Sequence, residues 1–179
     1  MTHITIPKSI TNIGDNVFAQ CINLSKIVIP NTVTNLGSSV FNGCMNLPDM
    51  ILPNTITNIK NSTFCNCLKL TKLNFPNSLT SIEGSAFASC SGLVNLTIPA
   101  SVTSIGNGAF NACSSIRFFD FSSHTAIPTI SNTYVFSNTP SDCKIIVPDS
   151  LYENWIAATN WSTFASYIIK KSDWEASQV

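Results

Sequence analysis

The chain has 179 residues, enough for one domain with a continuous core, and no linker-like stretch divides it. Its nine basic and nine acidic residues cancel, which excludes the electropositive footprint of a nucleic-acid binder and a polybasic membrane patch. No apolar run approaches the roughly 20 residues that span a bilayer, so no membrane insertion is expected, and the opening MTHITIPKSI lacks the basic start and apolar centre of a signal peptide.

From the N-terminus onward one pattern returns every 23 residues. Pro recurs at Pro7, Pro30, Pro53, Pro76 and Pro99, Phe at Phe18, Phe41, Phe64, Phe87 and Phe110, and Cys at Cys21, Cys44, Cys67, Cys90 and Cys113. Aliphatic columns keep the same register: Ile10, Val33, Ile56, Leu79 and Val102; Ile13, Leu36, Ile59, Ile82 and Ile105; Leu24, Leu47, Leu70, Leu93 and Ile116. A unit of this size cannot bury such a face alone, so successive units must stack into a solenoid with one shared core. Because Ile4 and Ile6 already hold strand positions, the start reads as a repeat under way, as in a piece of a longer array.

Within a unit, LSKIVIP (24–30) places Leu24, Ile27 and Ile29 inward and Lys26 and Val28 outward, the alternation of a short strand with one buried face. Pro30 ends it, having no N–H for a ladder. TVTNLG (32–37) alternates again and predicts a second short strand, and the VF..C segment closes the coil as a turn or short bend.

These residues, read in full on LTIPASVTSIGNGAFNACSSI (96–116), resemble the BspA-like, or Treponema-type, leucine-rich repeats, which recur every 23 residues. The likeness covers Ile4 to about Phe121. It implies a leucine-rich-repeat right-handed β/α superhelix of mostly short parallel strands and turns. It also implies a non-enzymatic binding scaffold of a cell-surface or secreted bacterial protein, engaged in adhesion to host proteins or other cells.

After Phe121 the period lengthens by three residues, and SSHTAIPTISNTYVFSNTPSDC predicts a sixth, irregular coil with a bulging loop. The solenoid is therefore expected over 1–148 and a helical cap and tail over 149–179. In the cap, Ser150 and Glu153 have capping-box spacing before Leu151, Trp155 and Ala158, and Trp161, Phe164, Ala165 and Ile168 continue as further helix. Such an aromatic segment covers the last open coil, as the family's C-terminal cap does. The final KKSDWEASQV reads as polar and frayed.

Chemistry is sparse. The column cysteines should stack about 4.8 Å apart as reduced, buried thiols, which leaves Cys65 and Cys143 off the ladder as the reactive candidates. The CNC at 65–67 lacks a second Cys or His pair, so no metal or other cofactor is expected. A Cys143–His124 pair has no orienting partner and is read as a solvated loop histidine beside a cysteine. GNG at 106–108 is a turn, and Asp15, Asp49, Glu83 and Asp120 fall at differing repeat positions, so no catalytic group is assigned.

What remains is surface. Outward strand positions align as Thr5, Val28, Ile51, Asn74, Thr97, Asp120 and Ile146, and as His3, Lys26, Asp49, Lys72, Asn95, Phe118 and Lys144. Lys26, Val28, Asp49, Ile51, Lys72, Asn74, Asn95, Thr97, Phe118, Asp120 and Ile146 are the candidate ligand-binding residues, with Val28, Ile51, Phe118 and Ile146 as exposed apolar contacts. The expected partner is a host or other cell-surface protein, or a glycan; a structural spacer that displays another domain is the alternative. The uncovered first coil predicts a weak two-fold homodimer through the N-terminal end.

Overall fold

The fold is seen in a computed structural model that describes residues 2–178. It is a parallel-strand β-solenoid of about seven coils with little helix. The first five coils contribute β1 (His3–Thr5), β2 (Asn12–Ile13), β3 (Lys26–Val28), β4 (Asn35–Leu36), β5 (Asp49–Ile51), β6 (Asn58–Ile59), β7 (Lys72–Asn74), β8 (Ser81–Ile82), β9 (Asn95–Thr97) and β10 (Ser104–Ile105). β11 (Phe118–Asp120), β12 (Thr129–Ile130), β13 (Lys144–Val147) and β14 (Ile168–Lys170) complete the stack.

Register follows the repeat. Ile4 pairs with Ile27, Met50 with Leu73 and Leu96 with Phe119, each one coil apart. The backbone is satisfied in two directions. Strand segments donate to the preceding coil, as Thr34 N–H to Thr11 O at 2.9 Å and Gly37 N–H to Ile13 O at 2.8 Å. The arc that follows donates to the next coil, as Asn16 N–H to Ser38 O at 2.9 Å and Phe18 N–H to Val40 O at 3.0 Å. The arc turns through left-handed backbone at two columns, Asn16, Ser39, Ser62, Ser85 and Gly108, and Gln20, Gly43, Asn66, Ser89 and Ala112.

The invariant positions have physical reasons. Phe18, Phe41, Phe64, Phe87 and Phe110 stack face to face at 5.3–5.6 Å between centroids, and Phe136 extends the column at 5.9 Å. From Cys44 onward each column thiol donates to the Phe carbonyl of the coil before: Cys44 to Phe18 O at 3.2 Å, Cys67 to Phe41 O at 3.2 Å, Cys90 to Phe64 O at 3.0 Å and Cys113 to Phe87 O at 3.3 Å. A larger aliphatic side chain would lose that bond. Ser and Thr hydroxyls also bridge coils, Thr32 to Ile10 O at 2.9 Å and Ser78 to Ile56 O at 2.8 Å, and Asn35 donates to the Asn12 side chain. A surface poor in charge thus takes part in the stacking.

The C-terminal region departs from the sequence expectation in three ways. The Ser150–Glu153 capping box does not form: a 3-10 turn over Asp149–Leu151 takes up Ser150, so helix α1 (Tyr152–Ala157) starts later, at a Leu151 N-cap without a side-chain bond. The helix expected through Ile168 stops instead, because Ala158 is extended and Asn160 left-handed; a 3-10 turn over Trp161–Phe164 follows, and Ile168 lies in β14. Ile145 pairs with Ile168, a return to the 23-residue period, so the cap is itself a last coil. The tail is not frayed over its described residues: helix α2 (Lys171–Ala176) is ordered, Asp149 accepts the Ser172 N–H at 3.1 Å, and the Trp174 ring packs against Phe118 at 5.1 Å, tilted by 57°. Hydrogen bonds from the Ser172 side chain and backbone hold the Asp149 carboxyl below its ordinary value. Inside the cap, Trp155 and Trp161 are buried, and the Trp161 indole N–H donates to Pro128 O at 2.7 Å.

Candidate interaction face

The outward side chains of the first strands share one face because strand side chains alternate and the coils are in register. Lys26, Val28, Asp49, Ile51, Lys72, Asn74, Asn95 and Thr97 are all exposed on it. Val28 is 60% and Ile51 74% exposed, unusual for aliphatic side chains on successive coils. The C-terminal third of the face is closed. Phe118 and Asp120 are half-buried, the former under Trp174, and Ile146 is buried at 3% exposure. Phe118 and Ile146 are therefore not the open apolar contacts expected from the sequence, because the tail helix folds back over this end.

Within the open part, grooves lie among the first three coils and again beside Asn74, Asn95 and Thr97. Ser25 and Thr71 donate their N–H groups to the preceding coil, at 2.9 Å and 2.8 Å, but the equivalent Pro48 has no N–H to give. No ladder pairing joins β3 to β5 there. A groove opens between them, lined by Lys26, Val28, Asp49 and Ile51, and a second lies on the other side of Val28, against Thr5, Lys8 and Pro30. Lys26, Asp49 and Lys72 alternate in sign along the axis, and no ion pair within 4.0 Å joins them among the described residues. A second apolar column, Ile22, Met45 and Leu68, is exposed at 48%, 39% and 40% just after the column cysteines. Its 23-residue spacing was its signal in the sequence.

The residues weighed for catalysis lie apart. His124 is buried at 3% exposure, not a solvated loop side chain: its Nδ1 lies 3.1 Å from Phe121 O and its ring packs on Phe121 and Trp155. Burial pushes its pKa down, against the backbone carbonyls of Phe121 and Val102. Cys143 is buried too, its thiol pushed up to about 12 by burial, and among the described residues no hydrogen bond links it to His124. Its protonated sulfur is a poor nucleophile. Burial also raises Cys44 and Cys113 to about 12, and all seven thiols are free. Cys21 and Cys65 are the half-buried pair. No group of three or more His, Cys, Asp or Glu that would hold a metal occurs among the described residues.

The geometry defines a leucine-rich-repeat solenoid with an open strand face. The family description "BspA type Leucine rich repeat region" matches residues 1–117 and 38–158 with six copies, and the chain belongs to that family. Among solved structures, a leucine-rich repeat protein from Bacteroides ovatus is 31% identical with a TM-score of 0.72 over 82% of this chain. A leucine rich cell surface protein from Faecalibacterium prausnitzii is 26% identical, TM-score 0.64, over 79%. The T. pallidum leucine rich repeat protein, 24% identical, shares the fold with a TM-score of 0.65, over 85% of this chain and 80% of its own. The match spans only 37% and 36% of the first two proteins. No curated protein matches. The chain thus resembles bacterial cell-surface leucine-rich-repeat proteins, and no helix among the described residues is long and apolar enough to cross a membrane.

Proposed function

We propose that the chain is a non-enzymatic adhesion module that holds a macromolecule on the open strand face of its first coils, at the surface of, or secreted by, a bacterial cell. The observation that carries this reading is Val28 and Ile51, open to solvent beside the grooves and flanked by Lys26 and Asp49. Apolar centres with a charged rim fit a protein partner, a host or other cell-surface protein, better than a glycan, which is held mainly by polar and stacking contacts. The neutral surface fits neither nucleic acid nor an anionic membrane. Further contacts along the face are Lys72, Asn74, Asn95 and Thr97, with Asp120 at its half-closed end.

The test is binding of the labelled chain to host epithelial cells by flow cytometry, before and after protease or glycosidase treatment of the cells. Saturable binding, lost on protease treatment and lowered at least tenfold in a folded Val28→Glu/Ile51→Glu variant, is the expected result. Loss on glycosidase treatment alone makes the ligand a glycan. Binding that ignores the double substitution removes the site, and absence of binding leaves the display spacer.

A further inference from the structure

We infer that a cavity between the sixth coil and the C-terminal cap is a binding site for one uncharged phenyl ring, separate from the strand face. The cavity holds about 140 Å³. An apolar space of about 150 Å³ in a protein interior stays dry and accepts benzene.

A small side chain lines the space. In the regular coils Leu24, Leu47, Leu70, Leu93 and Ile116 each close a tight turn just before the first strand, their N–H donating to the carbonyl three residues earlier. Before β13 a similar turn lies one residue nearer the strand and is closed by Cys143, its N–H donating to Pro140 O at 3.1 Å. The thiol is smaller than the branched side chains that close the regular turns, and the space beside it faces Phe119, Phe136, Ile145, Phe164 and Tyr167. The ring column also ends here. Phe136 lies parallel to Phe110, with 3° between planes, whereas Phe164 meets Phe136 edge-on at 89° and 5.2 Å. A guest ring would find both face and edge contacts.

The rim fixes the chemistry. Asn138 is exposed and Ser137, Thr139 and Tyr167 half-buried at the rim, and three of them turn their donors into the protein: Asn138 to Asn111 Oδ1 at 2.9 Å, Thr139 to Phe136 O at 2.9 Å and Ser137 to Thr133 O at 3.4 Å. No charged side chain lines the space. An ionised ligand would lose its hydration without a counter-charge; a neutral ring would not. The ring can come from a free aromatic molecule or from a phenylalanine of a polypeptide.

The experiment uses the full chain labelled at isoleucine methyls and titrated with benzene or with N-acetyl-phenylalanine amide. Benzene should shift the Ile145 methyl signal and raise the melting temperature by a few degrees. Cys143→Leu, which fills the space, should melt higher than the parent and stop responding. If the phenylalanine amide moves the same signal, the ring arrives on a polypeptide; if benzene alone does, the ligand is a free small molecule. An Ile145 signal that neither compound moves overturns the inference, as does a folded Cys143→Leu protein that responds like the parent. Should Cys143→Leu fail to fold, the Ile145 signal of the unmodified chain still decides.

Discussion

Ala112 sits in left-handed backbone at φ 59°, in a column where the other coils place Gln20, Gly43, Asn66 and Ser89. That region costs an L-residue roughly 1–2 kcal/mol, and alanine has no side-chain hydrogen bond to offset it. Glycine removes the strain but costs roughly 0.5–1 kcal/mol in the unfolded chain, so Ala112→Gly should stabilise by about 0.5–1 kcal/mol in urea titration; a loss would mean that the Ala112 methyl packs usefully. His124 gives the pH prediction. Its folded pKa lies below the ordinary 6.5, so the unfolded chain takes up the proton first as pH falls. The stability it leaves intact above about 6.5 is lost as the pH drops through that value toward the depressed one. Unfolding midpoints should therefore fall from pH 7.5 to 5.5, and the slope should flatten in His124→Gln; an unchanged slope would assign the effect elsewhere. Neither residue was legible in the sequence. Left-handed positions tolerate many residue types, and the burial of His124 depends on Phe121 and Trp155, which lie at no fixed spacing from it.

At the scale of elements, the strands were readable because the 23-residue period fixes which side chains point inward, and the structure keeps that register from β1 to β11. Phe64 shows what the register stabilises. Its ring is fully buried between Phe41 and Phe87, at 5.3 Å from each. Phe64→Ala should cost roughly 3–5 kcal/mol in chemical unfolding, as for other buried Phe truncations; a cost near zero would mean the neighbouring coils collapse onto the gap. β14 and α2 were hidden for opposite reasons. Trp161, Phe164 and Ile168 have helical spacing, but the chain is spent packing Trp161 and Phe164 into the aromatic end of the core, and Ile168 is then placed to pair with Ile145. The tail looked polar because one side chain, Trp174, makes its ring contact with the strand face. The open part of the candidate face was legible from alternation alone. Its closed end depended on that long-range contact, which no local pattern carries.

At the scale of the whole molecule the two ends of the coil differ. The C-terminal end is covered by Trp155, Trp161 and Phe164. At the other end, no strand among the described residues pairs with the outer edge of β1 or β2. The consequence shows in single residues: Phe18 and Cys21 are half-buried where Phe41 and Cys44 are fully buried, and Ile10 is 37% exposed where Val33 is not exposed at all. Another coil of the same repeat would cover this end in a longer array. For the 179-residue chain alone, we propose that a second copy does so, edge to edge and with two-fold symmetry, since identical ends can shield one another. The contact should be weak, because the exposed ring and aliphatic groups are few and the strands only three and two residues long. Sedimentation over a concentration series should show a reversible monomer–dimer equilibrium, and a polar capping segment fused ahead of Thr2 should return it to monomer. A monomer at every concentration would sink the idea. A dimer indifferent to the cap would move the contact to Val28 and Ile51, where Val28→Glu/Ile51→Glu would then dissolve it.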